Sequence, residues 1–307
     1  MITSVCMNPS FDKTVEVDTL AVGEVNRIRT TRQDVGGKGI NVAVVARRLG
    51  LSVRCVCCVG RDGADLVSDA LDKERIEHHF VTINGSVRTN TKIVSRDGKG
   101  VTELNEPGAQ ISDQELSEFF ELVQRRARRS DYLVLTGSLP PNCPPETYRD
   151  LLRSAGRVPC ILDVGGAALN LGVEEKPFLI KPNLQELQES VGMELRTLRA
   201  IRDAATSFLK RGVQHVVVSM GSMGAMYVGE NKSIFAPALK VNVKSTVGAG
   251  DAMIGGILKG LEREKSFSRA FRYGVAAGAA SVMTEGTQLI VPADFLSLLE
   301  QVRVQEV

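Results

Sequence analysis

Tryptophan is missing, histidine occurs three times, and aromatic residues make up 5% of the 307. His78 and His79 stand side by side in a polar stretch and His215 heads an apolar one. No histidine triad or zinc site can be built from that pattern. Charge of one sign is lacking too: 38 basic residues face 36 acidic ones for a net of +2, and the basic residues are scattered. This excludes the broad positive field that grips nucleic acid or an anionic membrane. No stretch approaches the ~18 unbroken apolar residues of a membrane span, and residues 1–9 carry neither a basic nor a long apolar leader region. A cytoplasmic protein without a membrane partner is therefore expected. The six cysteines, at 6, 55, 57, 58, 143 and 160, form no disulfide framework; the crowded ones lie in an apolar run and read as reduced core thiols. Also absent are G-x-x-x-x-G-K-[ST] and, after the first strand, G-x-G-x-x-G, which argues against a P-loop kinase and a Rossmann dehydrogenase.

What is present is an ordinary globular composition, 43% hydrophobic and 24% charged. Short apolar runs at 2–7, 53–59, 132–135, 160–163, 178–180 and 215–219 have the length and all-round hydrophobicity of parallel strands buried on both faces. Helical patterns alternate with them. Residues 40–49 end at Gly50, Ser112 with Glu115 forms a capping box opening a helix to Arg128, and Leu198, Ile201, Ala205, Phe208 and Leu209 make one stripe. Helices are also expected at 252–261, 267–284 and 292–302. This order predicts a doubly wound α/β fold with a mainly parallel sheet flanked by helices. Two half-exposed strands, 89–95 and 101–104, around the turn 96–100 break the alternation. With polar alternations at 13–17 and 26–32 they predict a small second sheet, a lid inserted at about 12–34 and 88–106 into a single domain spanning 1–307.

Chemistry concentrates where glycines meet helix starts. In Thr246-Val247-Gly248-Ala249-Gly250-Asp251 the glycines let backbone amides point inward at a helix N-terminus, which favours an anion. Asp251 repels a phosphate but can take a proton from a hydroxyl attacking it; equally, it reads as a capping residue. Gly36-Gly37-Lys38-Gly39-Ile40-Asn41 is a second such turn, with a mobile cation and a paired donor and acceptor. Asp12, beyond the first strand, can hold vicinal sugar hydroxyls or be a solvated turn carboxylate. Asn183 and Glu186 fit a capping box and equally fit water-mediated Mg²⁺ binding. Ser219, Gly221 and Gly224 end a strand with small residues that admit a base or phosphate, or simply make a turn.

These motifs, with Asn8-Pro9-Ser10-Phe11-Asp12, Gly137-Ser138-Leu139-Pro140 and Lys181-Pro182-Asn183, resemble in order and over nearly the whole chain the ribokinase-like (PfkB) carbohydrate kinase family. The resemblance implies phosphoryl transfer from ATP to a ketohexose phosphate. Arg88-Thr89-Asn90-Thr91-Lys92 looks most like the D-fructose 1-phosphate version, with tagatose 6-phosphate and fructose 6-phosphate as alternatives and a non-catalytic sugar-phosphate sensor as the reading from another class. It implies Asp251 as the base, an anion hole at Gly248, Ala249 and Gly250, and substrate contacts from Asp12, Gly37, Lys38, Asn41, Arg88, Asn90 and Lys92. Lys38, Arg88 and Lys92 would clamp the substrate phosphate or remain solvated lid charges. It further implies an ATP site at Asn183, Ser219, Gly221, Gly224, Gly248 and Gly250, Mg²⁺ at Asn183 and Glu186, a monovalent cation, and a homodimer through the β-lid.

Overall fold

A computed structural model describes residues 1–98, 100–286 and 288–307; Lys99, in the turn expected at 96–100, lies outside the described residues. The chain begins with β1 (Ile2–Cys6), β2 (Ser10–Val17), β3 (Thr30–Gly36), α1 (Lys38–Arg48), β4 (Val53–Asp62), α2 (Ala64–Lys73) and β5 (Glu77–Ser86). It continues with β6 (Arg88–Ser95), β7 (Gly100–Asn105), α3 (Asp113–Ala127), β8 (Tyr132–Thr136), α4 (Thr147–Ala155), β9 (Cys160–Asp163) and α5 (Gly166–Gly172). Then come β10 (Leu179–Ile180), α6 (Leu184–Val191), α7 (Leu198–Lys210), β11 (His215–Ser219), β12 (Ala225–Gly229) and β13 (Lys232–Ala236). The last elements are α8 (Ala249–Arg263), α9 (Phe267–Ser281), α10 (Pro292–Gln301) and β14 (Gln305–Glu306).

Ten strands form one sheet in the order β14-β13-β12-β11-β10-β9-β8-β1-β4-β5. From β11 to β5 every pairing is parallel, whereas β12, β13 and β14 add an antiparallel edge. Because the central strands are apolar on both sides, each face needs a helical layer. Cys55, Cys57, Val134, Ile161 and Val217 pack on one side with α1, α2, α8, α9 and α10; Val56, Leu133, Leu135, Leu162 and Val218 pack on the other with α3 to α7. All six cysteines are free, and no helix among the described residues is long and apolar enough to cross a membrane.

Two chain segments build a separate four-stranded sheet in the order β3-β2-β6-β7. Its centre is a parallel pairing that sets Ser10 opposite Arg88, Asp12 opposite Asn90 and Thr14 opposite Lys92. The expected strand at 26–32 is displaced: Asn26 bonds through its side chain to both the N–H and the carbonyl of Ala21 at 2.8 Å, closing a loop there. Extended pairing therefore starts only at Thr30, opposite Glu16.

α8 lies between α1 and α9, and the approach is too close for side chains. A Cβ on Gly255 would fall 2.5 Å from Cγ1 of Val45 on α1, and one on Gly256 would fall 2.4 Å from the carbonyl oxygen of Tyr273 on α9. These contacts fix α8, and with it the turn at its N-terminus. Gly256→Val should lower unfolding stability by about 1–3 kcal/mol through overpacking. Urea titration checks this, and an unchanged midpoint with an unchanged slope would refute the packing argument.

Candidate active site

The carboxyl ends of β9, β10 and β11, at Asp163, Lys181 and Ser219, open onto one cavity of about 1310 Å³, whose lining also includes Asp12, Arg88, Val275 and Val282. A parallel sheet places its binding crevice at this edge. Ser219 ends β11 and forms an isolated parallel bridge with Asn183, so the turn after β10 and the glycine turn after β11 are locked side by side. Gly221 and Gly224 follow and also line the cavity.

The N-terminus of α8 forms the cavity's central wall. Gly248 caps it with φ +76°, a conformation that suits glycine. Of the amides expected in the anion hole, that of Ala249 donates to the Thr246 carbonyl at 3.4 Å, whereas those of Gly248 and Gly250, and also that of Asp251, have no hydrogen-bond partner among the described residues. They are open donors at the positive end of a 15-residue helix. Asp251 is 5% exposed, and its Oδ2 accepts from Nδ2 of Asn41 at 2.8 Å. Burial pushes its carboxyl up to about 6; Lys38, the Asn41 hydrogen bond and Lys181 pull it down while the charge of Asp163 pushes it up.

Asp163 and Lys181 form an ion pair at 3.1 Å with both side chains almost fully buried. Asp163 also accepts from the Thr136 hydroxyl. Burial works against its charge, yet Lys181 and Lys38 hold the carboxyl below its ordinary range. The Lys181 amine lies beneath the α8 turn, where a Cβ on Gly250 would sit 2.9 Å from Nζ. Lys38, the first residue of α1, has its pKa raised mainly by Asp163, with Asp251 and Glu186 adding. Two lysines and two aspartates thus interleave under the open amides. Asp163 and Lys181 were given no role from the sequence; the signal for them was a charged residue at or just after the end of a buried apolar strand.

Asn183 and Glu186 form the expected capping box: Asn183 Oδ1 accepts from the Glu186 amide at 2.9 Å, and Glu186 Oε2 from the Asn183 amide at 2.8 Å. Both also line the cavity, and Oε1 of Glu186 makes no hydrogen bond among the described residues. Capping and ligand binding are therefore compatible here. No cluster of three or more His, Cys, Asp or Glu side chains with metal-holding geometry occurs among the described residues.

The small sheet supplies the far wall. Asp12 accepts from Ser10 at 2.9 Å and from Asn90 at 3.2 Å, and Oδ1 of Asn90 is buried without a partner. Arg88 donates to the carbonyl of Asn8 at 3.1 Å and to the Ser138 hydroxyl at 3.0 Å, while its Nε is buried and unpaired. Burial lowers the Arg88 pKa. Arg88 also borders a second hollow of about 380 Å³ lined by 84–86 and 106–110. Strand alternation puts Lys92 on the Arg88 and Asn90 face, but Lys92 is buried beside Thr14 in the sheet and lines neither cavity. Asp12, Gly37, Lys38, Asn41 and Arg88 are brought together; Asn90 reaches the cavity only through Asp12. At the opposite end, Leu239, Val241, Val243, Val275, Ala279 and Val282 form an apolar wall that the motifs did not announce.

Comparison with known proteins agrees with this geometry. A model of the pfkB family carbohydrate kinases matches residues 6–294. The 1-phosphofructokinase of Vibrio cholerae is 33% identical over 306 residues, covering 99% of this chain and 96% of that protein. The 1-phosphofructokinase of Bacillus subtilis is 33% identical over 308 residues, covering 99% of each. The crystal structure of phosphofructokinase-2 from Escherichia coli in complex with potassium superposes with a TM-score of 0.91 at 29% identity, covering 98% of both chains.

If the Asp251 carboxyl, near 6 when folded against an ordinary value of 3.8, is the expected base, it leaves marks on activity and on stability. kcat/KM should fall on the acid side with a limb near pH 6, and Asp251→Asn should cost about 10²–10⁴-fold in turnover. Since the folded state binds the Asp251 proton more tightly than the unfolded one, this group's contribution is present below pH 3.8 and lost as pH rises through 6. The Asn variant should therefore be more stable than the parent by about 1–3 kcal/mol at pH 7–8 and lose that advantage below about pH 4. Activity profiles and urea titrations at both pH values check the pair; a variant both inactive and destabilised at pH 8 would refute the pKa assignment.

Proposed function

The chain belongs to the pfkB family of carbohydrate kinases, and from that membership we propose that it transfers the γ-phosphoryl of ATP to the 6-hydroxyl of D-fructose 1-phosphate, forming fructose 1,6-bisphosphate. The observation that carries the reading is a buried Asp251, its carboxyl pushed up to about 6, beside unpaired amides at a helix N-terminus, in a cavity that Arg88 also lines.

The sugar lies against the small sheet. Asp12 accepts from its hydroxyls, and Arg88 faces its phosphate with Ser138 close by. Asn41 orients Asp251, which takes the proton of the attacking hydroxyl as that oxygen bonds to the γ-phosphorus. Negative charge on the transferring group meets the amides of Gly250 and Asp251, the α8 dipole and the amine of Lys38. The nucleotide extends past Ser219, Gly221 and Gly224, its base against the apolar wall at 239–243 and α9. Asn183 and Glu186 are oxygen donors suited to Mg²⁺, which when bound neutralises phosphate charge. A monovalent cation belongs to the proposal through the potassium complex of the E. coli relative. The small sheet acts as a lid formed by the two insertions in a single domain, excluding water that Asp251 would otherwise activate.

The test is a turnover panel of fructose 1-phosphate, fructose 6-phosphate, tagatose 6-phosphate and unphosphorylated sugars with Mg²⁺-ATP, repeated with Arg88→Ala. Fructose 1-phosphate should lead, and the variant should raise KM for the phosphosugar about 10–100-fold, the worth of a charged hydrogen bond, with little change in KM for ATP. Preference for another sugar overturns the substrate assignment, and equal effects on both KM values overturn the clamp.

The small sheet also supports a homodimer. Every residue of β7 is exposed, Val101 and Leu104 by 57% each, while Val22 and Val25 in the β2–β3 connection are 95% and 88% exposed. Apolar side chains so displayed favour a covering partner. Val101→Glu with Leu104→Glu should shift the sedimentation coefficient from dimer to monomer; a parent already monomeric at micromolar concentration refutes the proposal.

A further inference from the structure

Among the described residues, Arg75, Lys176 and Leu289 have a positive φ without being glycine. Arg75 and Lys176 are exposed. Leu289, at φ +62° in the connection from α9 to α10, is 3% exposed and belongs to the core with Ile40 of α1 and Ala252 of α8. A bulky residue on a left-handed backbone is strained, and it persists only where the surroundings impose it.

The surroundings here are specific. Arg48, in the last turn of α1, donates to the carbonyls of Gln288 and, at 3.2 Å, Ile290, gripping the chain on both sides of Leu289. Glu74 holds Arg48 in turn, accepting from its Nε at 3.1 Å. The Thr284 hydroxyl donates to the Leu289 carbonyl at 2.6 Å. On the far flank, a Cβ on Gly286 would fall 2.9 Å from Oδ2 of Asp34 on β3.

This conformation sends the leucine behind the cap of α8. A Cβ on Gly248 would fall 2.7 Å from Cδ2 of Leu289, 3.7 Å from Nδ2 of Asn41 and 4.0 Å from Oδ2 of Asp251. One small space is thus shared by the glycine cap, the leucine methyl and the hydrogen bond that holds Asp251. Gly248, Asn41 and Asp251 line the active cavity, whereas Leu289 lines neither cavity and supports them from the protein side. The other groups facing the carboxyl are charged or polar: Lys38 and Asn41 on α1, Asp163 ending β9, and Lys181 beyond β10. Burial is nonetheless the largest influence on its proton, and Leu289 is part of what buries it.

We propose that Leu289 is a positioning residue: driven behind Gly248 by its left-handed backbone, it keeps water from the Asn41–Asp251 hydrogen bond and fixes the carboxyl against the helix-start amides. Without the side chain, a space lined by polar atoms of Asn41 and Asp251 opens, and water can occupy such a space. Water favours the charged carboxylate. The base is then weaker, and it is held less firmly towards the attacking hydroxyl.

The test follows kcat and kcat/KM against pH for the full chain with Mg²⁺-ATP and fructose 1-phosphate, and to that extent rests on the kinase reading above. Leu289→Ala should move the acid limb from near pH 6 to about pH 5, a tenfold change in the dissociation constant, and lower the kcat plateau about tenfold. Leu289→Met, which refills the space with a similar volume, should restore both. Ile290→Ala, at a neighbouring core position, should lower the urea midpoint without moving the limb. Leu289→Asn keeps the volume and suits the left-handed backbone, so it carries the test if the alanine variant does not fold; it too should lower the limb. A second readout needs no turnover. The pH 8 stability advantage of Asp251→Asn should shrink about tenfold, as a ratio of unfolding constants, when Leu289 is replaced by alanine. An unmoved limb with an unshrunken advantage, or a limb moved as far by Ile290→Ala, overturns the proposal. A shrunken advantage in a chain that does not turn over fructose 1-phosphate upholds the Leu289 contact and rejects the kinase reading, so the two failures are distinguishable.

Discussion

A carboxyl buried beside unpaired helix-start amides and two lysines is the constraint to which the sheet edge answers. Asp251 alone would be driven neutral by desolvation. Lys38 and Lys181 supply the opposing charge, but two lysines near one carboxylate would leave excess positive charge buried. Asp163 balances them: it binds Lys181 at 3.1 Å, also attracts Lys38, and by repelling Asp251 adds to burial, the larger cause, in holding its pKa above an ordinary carboxylate value. The result is a carboxyl near 6, ionised at neutral pH yet basic enough to take a proton. The Asp163–Lys181 pair is weak evidence of stabilisation in itself, since desolvation offsets much of its attraction. Its effect on Asp251 gives it a chemical use.

Such a charge cluster works only if its members cannot drift apart, and they come from distant parts of the chain. Asn41 and Asp251 are 210 residues apart in sequence yet share one hydrogen bond. That bond depends on how closely α1 and α8 approach, which depends in turn on Gly255 having no side chain against Val45. The backbone cost of glycine within a helix, about 1 kcal/mol relative to alanine, is accepted here for position. The small sheet is tied in by shorter means: Asp12 packs on Gly36, the residue that leads into α1, and accepts from Asn90 on the neighbouring strand.

The sequence was most legible where one local rule suffices. Both capping boxes, Ser112 with Glu115 and Asn183 with Glu186, form as their spacing dictates. The central parallel strands declared themselves by unbroken apolarity. β5, at the edge of the sheet, did not, because its alternation of half-buried and exposed residues is interrupted by His78, His79 and Phe80. The antiparallel hairpin β12–β13 was hidden by its short strands, and β14 by having two residues. In the site, motifs at helix starts were visible because glycine and polar residues cluster there. The Asp163–Lys181 pair was not, since it joins the ends of two adjacent strands and no local spacing encodes it. Lys92 shows the converse: alternation correctly puts it on the Arg88 face, but four positions farther along β6 it lies about 13 Å from Arg88 and does not line the cavity.

Three helices, α1, α6 and α8, direct their N-termini towards this edge, and they differ in what satisfies the first-turn amides. At α6 the Asn183 and Glu186 side chains do so. At α1 the cap is Gly37, which has no side chain to offer, and the Ile40 and Gly39 amides help to hold the Cys6 thiol below its usual pKa. At α8 the cap is Gly248, again without a side chain, and nothing among the described residues takes the Gly250 and Asp251 amides. Buried or half-buried amides are rarely left without a partner in a folded protein. Of the three helix starts, the one with open donors is therefore the one whose partner must come from outside the chain, and a cation-flanked pair of amides calls for an anion. In the proposed reaction the carboxylate of Asp251, in the first turn of the same helix and repelled by such an anion, receives the proton that the incoming hydroxyl gives up.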